Sequence, residues 1–185
     1  MPRAPLPRSS ADSSSAVAAG ALFGGYWLLL GCWRSLELAS LPDDAVVAGP
    51  FPSWLLTYLE ALVGAVTLGG LAMVVGAVLL RRGDVRGSLL VAGGGLSNLG
   101  TAAAHAYFTF GHDVALGEGG LVWGIVHVAT LTRTWIPGGA TESGAAGFRV
   151  GQAVGFVVWA LASILVVASA LDVFVGPKDA AAARE

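Results

Sequence analysis

The sequence predicts an all-α protein, a polytopic bundle of transmembrane helices. Hydrophobic residues make up 55% of its 185 residues and charged residues only 12%, and the mean hydropathy is +0.74. A soluble domain of this size cannot enclose so much apolar surface, because its core needs a polar shell. The apolar residues are also grouped into long segments, and about 20 apolar residues span a bilayer as a helix. The 27 glycines agree with this class, since small residues are common where membrane helices touch.

One membrane domain is predicted, with a short tail at each end. Residues 1–15 are rich in Pro and Ser and have no apolar periodicity, which predicts a disordered tail. Residues 16–176 contain all the apolar segments, and the Gly176-Pro177 pair ends the last of them. Residues 177–185 then form the second tail.

Five apolar segments follow one another in this domain. They cover residues 17–39, 53–80, 88–110, 121–137 and 152–175. The fourth is the shortest. At about 1.5 Å per residue its 17 residues reach roughly 25 Å, just short of a ~30 Å hydrocarbon core. It either spans with its ends at the interfaces or is re-entrant.

The distribution of charge favours five spans. With a cytoplasmic N terminus, arginines occupy the inner stretches, and the two outer links carry acidic residues but no Lys or Arg. The inner arginines lie in 1–15, in 81–86 and at Arg133 and Arg149, and the outer links are 41–52 and 111–120. This is the pattern of the positive-inside rule. We therefore predict five spans with the N terminus inside and the C terminus outside. The alternative is four spans plus a re-entrant segment at 121–137.

One ionisable side chain in each apolar segment falls at a similar predicted depth. These side chains are Arg34, Glu60, His105, His127 and Asp172. Counting helical rise from the outer ends places all five between about 5 and 10 Å inside the outer surface. An ionisable group inside a membrane is costly, so each one needs a partner or a function. We therefore predict that they form a polar, ligand-binding cluster that faces outward.

His105 and His127 are the centre of this predicted cluster. They lie five residues before the end of the third segment and six residues after the start of the fourth. In an antiparallel pair of helices these positions come out at similar height. With Glu60 they would form a two-histidine, one-carboxylate set, which suits iron, zinc or manganese. In the alternative interpretation each side chain bonds to a neighbouring helix, and Glu60 pairs with Arg34.

The residues assign no definite cofactor. A transition metal is compatible with the two histidines, but their spacing matches no fixed metal signature such as HExxH. Haem also takes axial histidines from membrane helices. Directly packed helices, however, lie only about 8–10 Å apart, which leaves no room for a macrocycle between ligands on adjacent helices. Haem is therefore less favoured than a metal ion.

Composition and motifs count against several other functions. The formal net charge is −2, which provides no basic patch for nucleic acid. The single cysteine, Cys32, can form neither an intramolecular disulfide nor a cysteine metal cluster. The sequence contains no GxSxG motif, and the Gly93–Gly95 run lacks the lysine of a phosphate-binding loop. An enzyme is therefore not favoured.

We expect a non-enzymatic membrane subunit or small-ligand-binding protein. Its expected partners are the lipid bilayer and, through the GxxxG spacings at Gly20/Gly24 and Gly151/Gly155, other membrane subunits or a second copy. Two alternatives stay open. One is a membrane metal- or haem-binding redox protein that uses the two histidines. The other is a small proton-coupled carrier, which needs a polar path to the inner side where chiefly Asn98 is available.

Overall fold

The described part of the chain is helical apart from short turns. The computed structural model describes residues 10–40, 54–111, 120–131 and 142–175. The helices are α1 (Ser10–Ala39), α2 (Trp54–Arg81), α3 (Arg86–Gly111), α4 (Gly120–Thr130) and α5 (Glu142–Val175). No strand occurs within these ranges, which confirms the predicted all-α class. The C-terminal tail, 177–185, lies outside the described residues.

Helix α1 begins at Ser10, inside the stretch predicted to be a disordered tail. Residues 10–15 read Ser-Ala-Asp-Ser-Ser-Ser, and Ser and Asp are favoured at helix N termini. Ala16 is completely buried, so the early turns of α1 pack against the bundle. Residues 1–9 of the predicted tail lie outside the described part of the chain.

Three of these helices are long and apolar enough to cross a membrane, over Ser13–Ala39, Thr57–Arg81 and Ala146–Phe174. Helix α3 is also long, but Ser, Asn, Thr and Gly residues make it less apolar. The outer surface carries many exposed leucines, such as Leu22 at 77% and Leu165 at 69% exposure. Apolar patches of this extent on a bundle surface are typical of contact with lipid or with another protein.

Helices α1 and α2 pack as an antiparallel pair whose backbones approach closely at glycines. A Cβ atom added at Gly24 would lie 2.6 Å from Met73 Cβ, and one added at Gly70 would lie 2.5 Å from the backbone nitrogen of Leu28. Gly20 faces the same helix. The GxxxG spacing at Gly20/Gly24 is therefore used inside the chain, against α2.

Helices α2 and α3 form a second antiparallel pair around a tight turn at 82–85. Gly83 adopts the left-handed conformation, with φ at 83°, and the Asp84 carboxylate accepts a hydrogen bond from the backbone N–H of Arg86. We call this end of the bundle the turn end. The opposite end, where α3 finishes at Gly111, is called the histidine end.

Helix α4 lies alongside α5 and runs parallel to it. A Cβ atom added at Gly147 would lie 3.2 Å from Gly120 Cα, and one added at Gly155 would lie 2.8 Å from Val128 Cβ. The contacts advance in the same direction along both helices. Between them, a Cβ atom added at Gly151 would lie 2.0 Å from the Leu121 carbonyl oxygen. The Gly151/Gly155 spacing is therefore also used inside the chain, where it holds α4.

Helix α5 runs antiparallel to α3, because Gly95 faces Ser163 whereas His105 faces Phe156. Both α4 and α5 consequently begin at the histidine end. Helices α4 and α5 therefore run side by side from the same end of the bundle. Helix α1 begins, and α5 ends, at the turn end.

The expected span over 121–137 is not found in the described residues. Helix α4 has 11 residues and is about 16 Å long, roughly half of a hydrocarbon core. It stops at Leu131, which has φ at 49°, and residues 132–137 lie outside the described residues. The charge pattern predicts that α4 and α5 begin at opposite ends, whereas here both begin at the histidine end. Arg149 lies near the start of α5, at the same end as Gly111 and Gly120, which flank the acidic link.

Candidate polar site at the histidine end

Two of the predicted site residues come together near the histidine end. His105 from α3 is 9% exposed, and its Nδ1 atom lies 2.6 Å from the hydroxyl oxygen of Tyr58 on α2. His127 from α4 packs on Phe148 of α5, and His105 packs on Phe156 of the same helix. Helices α2, α3 and α4 thus each contribute one ionisable side chain to the same buried region.

Aromatic rings on α5 form one wall of this region. His105 meets Phe156 edge-on with ring centroids 5.2 Å apart, and His127 meets Phe148 edge-on at 5.4 Å. The two phenylalanines are eight residues apart and so lie on one face of α5. Edge-to-face contact restricts the orientation of each imidazole. On the other side, Tyr58 packs on Phe108 at 4.4 Å.

The C-terminal end of α4 is held by two side chains of α1. A helix leaves its last carbonyl groups without intrahelical partners. The Thr130 carbonyl oxygen accepts hydrogen bonds from Arg34 Nε at 3.0 Å and from Arg34 Nη2 at 2.8 Å, and the Ala129 carbonyl accepts one from the Tyr26 hydroxyl. A cation is also favourable at the negative end of a helix dipole. Arg34 therefore caps the C-terminal end of α4 inside the bundle.

Arg34 also forms an ion pair with Glu37 on its own helix and interacts electrostatically with His127. The expected pairing of Arg34 with Glu60 is not formed. Glu60 is exposed, and it forms no hydrogen bond or ion pair with the described residues. Two positions from Tyr58, it is turned about 200° around α2 and faces away from the histidines.

Asp172 also lies away from the site. It is exposed and follows Phe156 by 16 residues along α5, which places it about 24 Å further toward the turn end. The prediction placed Asp172 at the same end as the histidines, whereas α5 begins at the histidine end and carries Asp172 toward the turn end. Of the five predicted residues, Arg34, His105 and His127 come together, whereas Glu60 and Asp172 do not.

The described residues do not form the predicted metal set. Within them, no three His, Cys, Asp or Glu side chains are placed to hold a metal ion. The exposed position of Glu60 accounts for this, since it removes the carboxylate from the two-histidine set. His112, in the link between α3 and α4, lies outside the described residues.

Gln152 belongs to the site, and sequence reasoning missed it. Its side chain is completely buried, and neither Nε2 nor Oε1 has a hydrogen-bond partner. It is one helical turn after Phe148 and one turn before Phe156, so it lies between the two rings that contact the histidines. The available signal was that Gln152 is the only glutamine of the chain. It is the first residue of a predicted apolar segment, and a polar residue at a segment end needs no special explanation.

The polar groups extend only part of the way through the bundle. Trp27 stacks on Trp159 with ring centroids 4.2 Å apart, and the indole N–H of each is buried without a partner. Nearer the turn end the fully buried side chains are mainly apolar, and the buried hydroxyls of Ser163 and Ser88 donate to the backbone carbonyls of Trp159 and Val85. Among the apolar side chains are Met73, Val91 and Ala170, each at 0% exposure. The site is therefore closed toward the turn end by a packed apolar layer.

No known protein family, curated protein or solved structure matches this chain. The class of protein rests on its own architecture. It is an all-α bundle with three helices long and apolar enough to cross a membrane. A short fourth helix, α4, ends beside a buried polar site.

Proposed function

We propose that the chain is an integral membrane protein that binds a small polar ligand within the bilayer, at the histidine end. Helices α1, α2, α3 and α5 cross the membrane, and α4 is re-entrant. The observation that carries the proposal is the placement of polar groups from four helices around the inner end of α4. Arg34, Tyr58, His105 and His127 supply them. Ionisable groups within a membrane are costly, and a binding site is a common reason for their presence.

The closed, apolar half of the bundle favours a binding protein over a proton-coupled carrier. A carrier needs polar groups along a path to the other side. Here the core beyond Trp159 and Asn98 holds apolar residues such as Met73 and Val91, and the buried hydroxyls of Ser163 and Ser88 are bonded to backbone carbonyls. A metal-dependent redox protein also has less support, since two histidines without Glu60 are a small ligand set.

The proposed orientation places the turn end in the cytoplasm. Arg81, Arg82 and Arg86 lie at this end and are exposed, and the positive-inside rule then puts the histidine end outside. Both chain termini are consequently cytoplasmic in this proposal.

Reporter fusions test the membrane arrangement. Fusions after Arg86 and Glu185 should report the cytoplasm, and fusions after Glu118 and Glu142 should report the outside. A five-span protein would instead give opposite readings at Glu118 and Glu142. That result would remove the re-entrant helix from the proposal.

Thermal unfolding in detergent micelles tests the binding function. The purified protein is heated with a panel of probes, each added alone: urea, acetamide, ammonium, acetate and phosphate. A ligand at 100 times its dissociation constant adds about 2.7 kcal/mol to the free energy of unfolding. At least one probe should therefore raise the midpoint of the wild type and fail to raise that of a folded His105→Phe/His127→Phe variant. Glu60→Gln is the matched control, because Glu60 faces away from the site, and it should respond like the wild type. Equal responses of the wild type and the double-histidine variant to every probe would contradict the proposal.

A further inference from the structure

We infer that Gln152 is the residue that hydrogen-bonds the ligand, and that the ligand is a small uncharged molecule that both donates and accepts hydrogen bonds. The inference rests on the proposed function and deepens it. It specifies the contact residue and the chemical class of the ligand.

The unused hydrogen-bonding capacity of Gln152 is the first observation. A glutamine amide offers two N–H donors and a carbonyl oxygen with two lone pairs. In Gln152 both polar atoms are buried and unpartnered, and the residue is 0% exposed. Proteins pair the large majority of their buried polar groups, so such a group needs a specific explanation. A residue reserved for a ligand provides one.

The position of Gln152 is the second observation. Its neighbours one turn away on α5, Phe148 and Phe156, contact His127 and His105. One turn is about 5.4 Å, so the amide lies in the same layer as the imidazoles. Helix α4 also lies directly against this part of α5, since a Cβ atom added at Gly124 would be 2.7 Å from the Gln152 backbone nitrogen. Gln152 is therefore at the junction of α5 with the re-entrant helix.

The electrostatic environment selects an uncharged ligand. The positive charge of Arg34 is balanced by Glu37, and its Nε and Nη2 donate to the Thr130 carbonyl. An amide presents a donor beside an acceptor. A simple anion would face the lone pairs of Oε1, and a simple cation would face the N–H groups. Burial of an ion without a close opposite charge is strongly unfavourable. A molecule with its own donor and acceptor meets both atoms of the amide.

Two sources supply this chemistry. Water can donate to Oε1 and accept from Nε2. A small primary amide or urea can pair with the glutamine amide through two antiparallel N–H···O bonds. The test needs one arm for each source.

The composition of the chain makes the test direct. Gln152 is the only glutamine and Asn98 the only asparagine, so each gives a single side-chain amide signal in a ¹⁵N NMR spectrum of the whole protein. Asn98 is an internal control, because it is also 0% exposed but its Nδ2 donates to the Gly94 carbonyl at 3.2 Å, so that only its Oδ1 lacks a partner. The spectra are recorded in lipid nanodiscs. One arm titrates urea and, separately, acetamide, and the other measures magnetisation transfer from water.

The inference predicts a response at Gln152 and none at Asn98. A saturable shift of the Gln152 signal with urea or acetamide identifies an amide-type ligand. Selective transfer from water to Gln152 without such a shift means that bound water satisfies the amide, and it overturns the assignment of a ligand to Gln152. A Gln152 signal that neither shifts nor receives transfer overturns the inference, and so does a response of equal size at Asn98.

A variant separates this inference from the proposed function. Gln152→Met keeps a side chain of similar length without the amide, and circular dichroism in micelles establishes whether the variant is folded. It should lose the thermal stabilisation that urea or acetamide gives the wild type. If a probe stabilises Gln152→Met as much as the wild type but fails with the double-histidine variant, the binding site stands and the role of Gln152 is wrong. If the probes act equally on all three proteins, the binding function itself is wrong.

Discussion

The two ends of the bundle differ in what fills the space between the helices. Near the turn end, α1, α2 and α3 approach through glycines, and apolar side chains such as Met73 and Val91 are completely buried. Near the histidine end the interior holds the imidazoles of two histidines, the guanidinium group of Arg34 and the amide of Gln152, which has no hydrogen-bond partner. Close apolar packing stabilises a helical bundle, whereas unpaired buried polar groups destabilise it. We infer that the turn end provides stability and that the histidine end provides function.

The largest effect on stability is expected at the contact between α4 and α5. The glycine packing of the turn end recurs here, within the polar half. Gly151→Ala should lower the free energy of unfolding by about 3 kcal/mol, because the new Cβ atom meets a backbone oxygen that cannot move away easily. Denaturant unfolding in micelles measures it.

Gly100→Ala is the matched control for this substitution. Gly100 is helical, and a Cβ atom added there meets nothing within 4 Å. The control should raise stability by about 0.5–1 kcal/mol, since alanine is the better helix former. A loss of similar size at both positions would show that the α4–α5 contact has no special role.

Arg34→Met should have the next largest effect. It removes the two hydrogen bonds to the Thr130 carbonyl, and hydrogen bonds to charged groups contribute about 1.5–3 kcal/mol. The loss should be local, so amide hydrogen exchange should speed up in α4 and change little in α2. Arg34→Lys keeps the charge but cannot form the paired hydrogen bonds. Its amide exchange rate in α4 should lie between those of the wild type and Arg34→Met. Unchanged exchange in α4 would argue against a capping role.

Gln152→Met tests whether the buried polar groups of the histidine end lower the free energy of unfolding. Removal of an unpaired buried amide should raise the free energy of unfolding by about 1–2 kcal/mol. Unfolding without any probe compound measures this change in stability separately from ligand binding. A destabilised variant would mean that the amide has bonding partners in the folded protein, and the comparison between the two ends would then weaken.

Glu60→Gln should have the smallest effect. Its side chain is exposed and has no hydrogen bond or ion pair with the described residues, and such substitutions usually change stability by less than about 0.5 kcal/mol. The same unfolding measurement applies. A decrease in the free energy of unfolding of more than about 2 kcal/mol would indicate that Glu60 belongs to the polar site.

The site was predictable in part. His105 and His127 were recognised as a pair, because their distance from a shared link gives similar heights in any antiparallel arrangement. Glu60 was included through its depth alone. Depth along a helix carries no information about which side of the helix faces the interior, and Tyr58, two positions away, is the residue that meets His105.

The direction of α5 could not be predicted for a different reason. Five spans and four spans with a re-entrant helix place the same apolar residues in the same order, so hydropathy cannot separate them. Arg149 and Asp172 were assigned to sides by alternation. That alternation requires α4 and α5 to begin at opposite ends, whereas the structure has both beginning at the same end.

The sequence by itself determined the all-α class, the helical segments and the histidine pair, because apolar runs and spacing along a helix are local properties. Only the tertiary structure decided that α4 runs parallel to α5, that Arg34 caps it from 96 residues away, and that Gln152 is enclosed without a partner. These features depend on which glycine faces meet and which buried groups remain unpaired. Such relations arise between helices, and no single segment contains them.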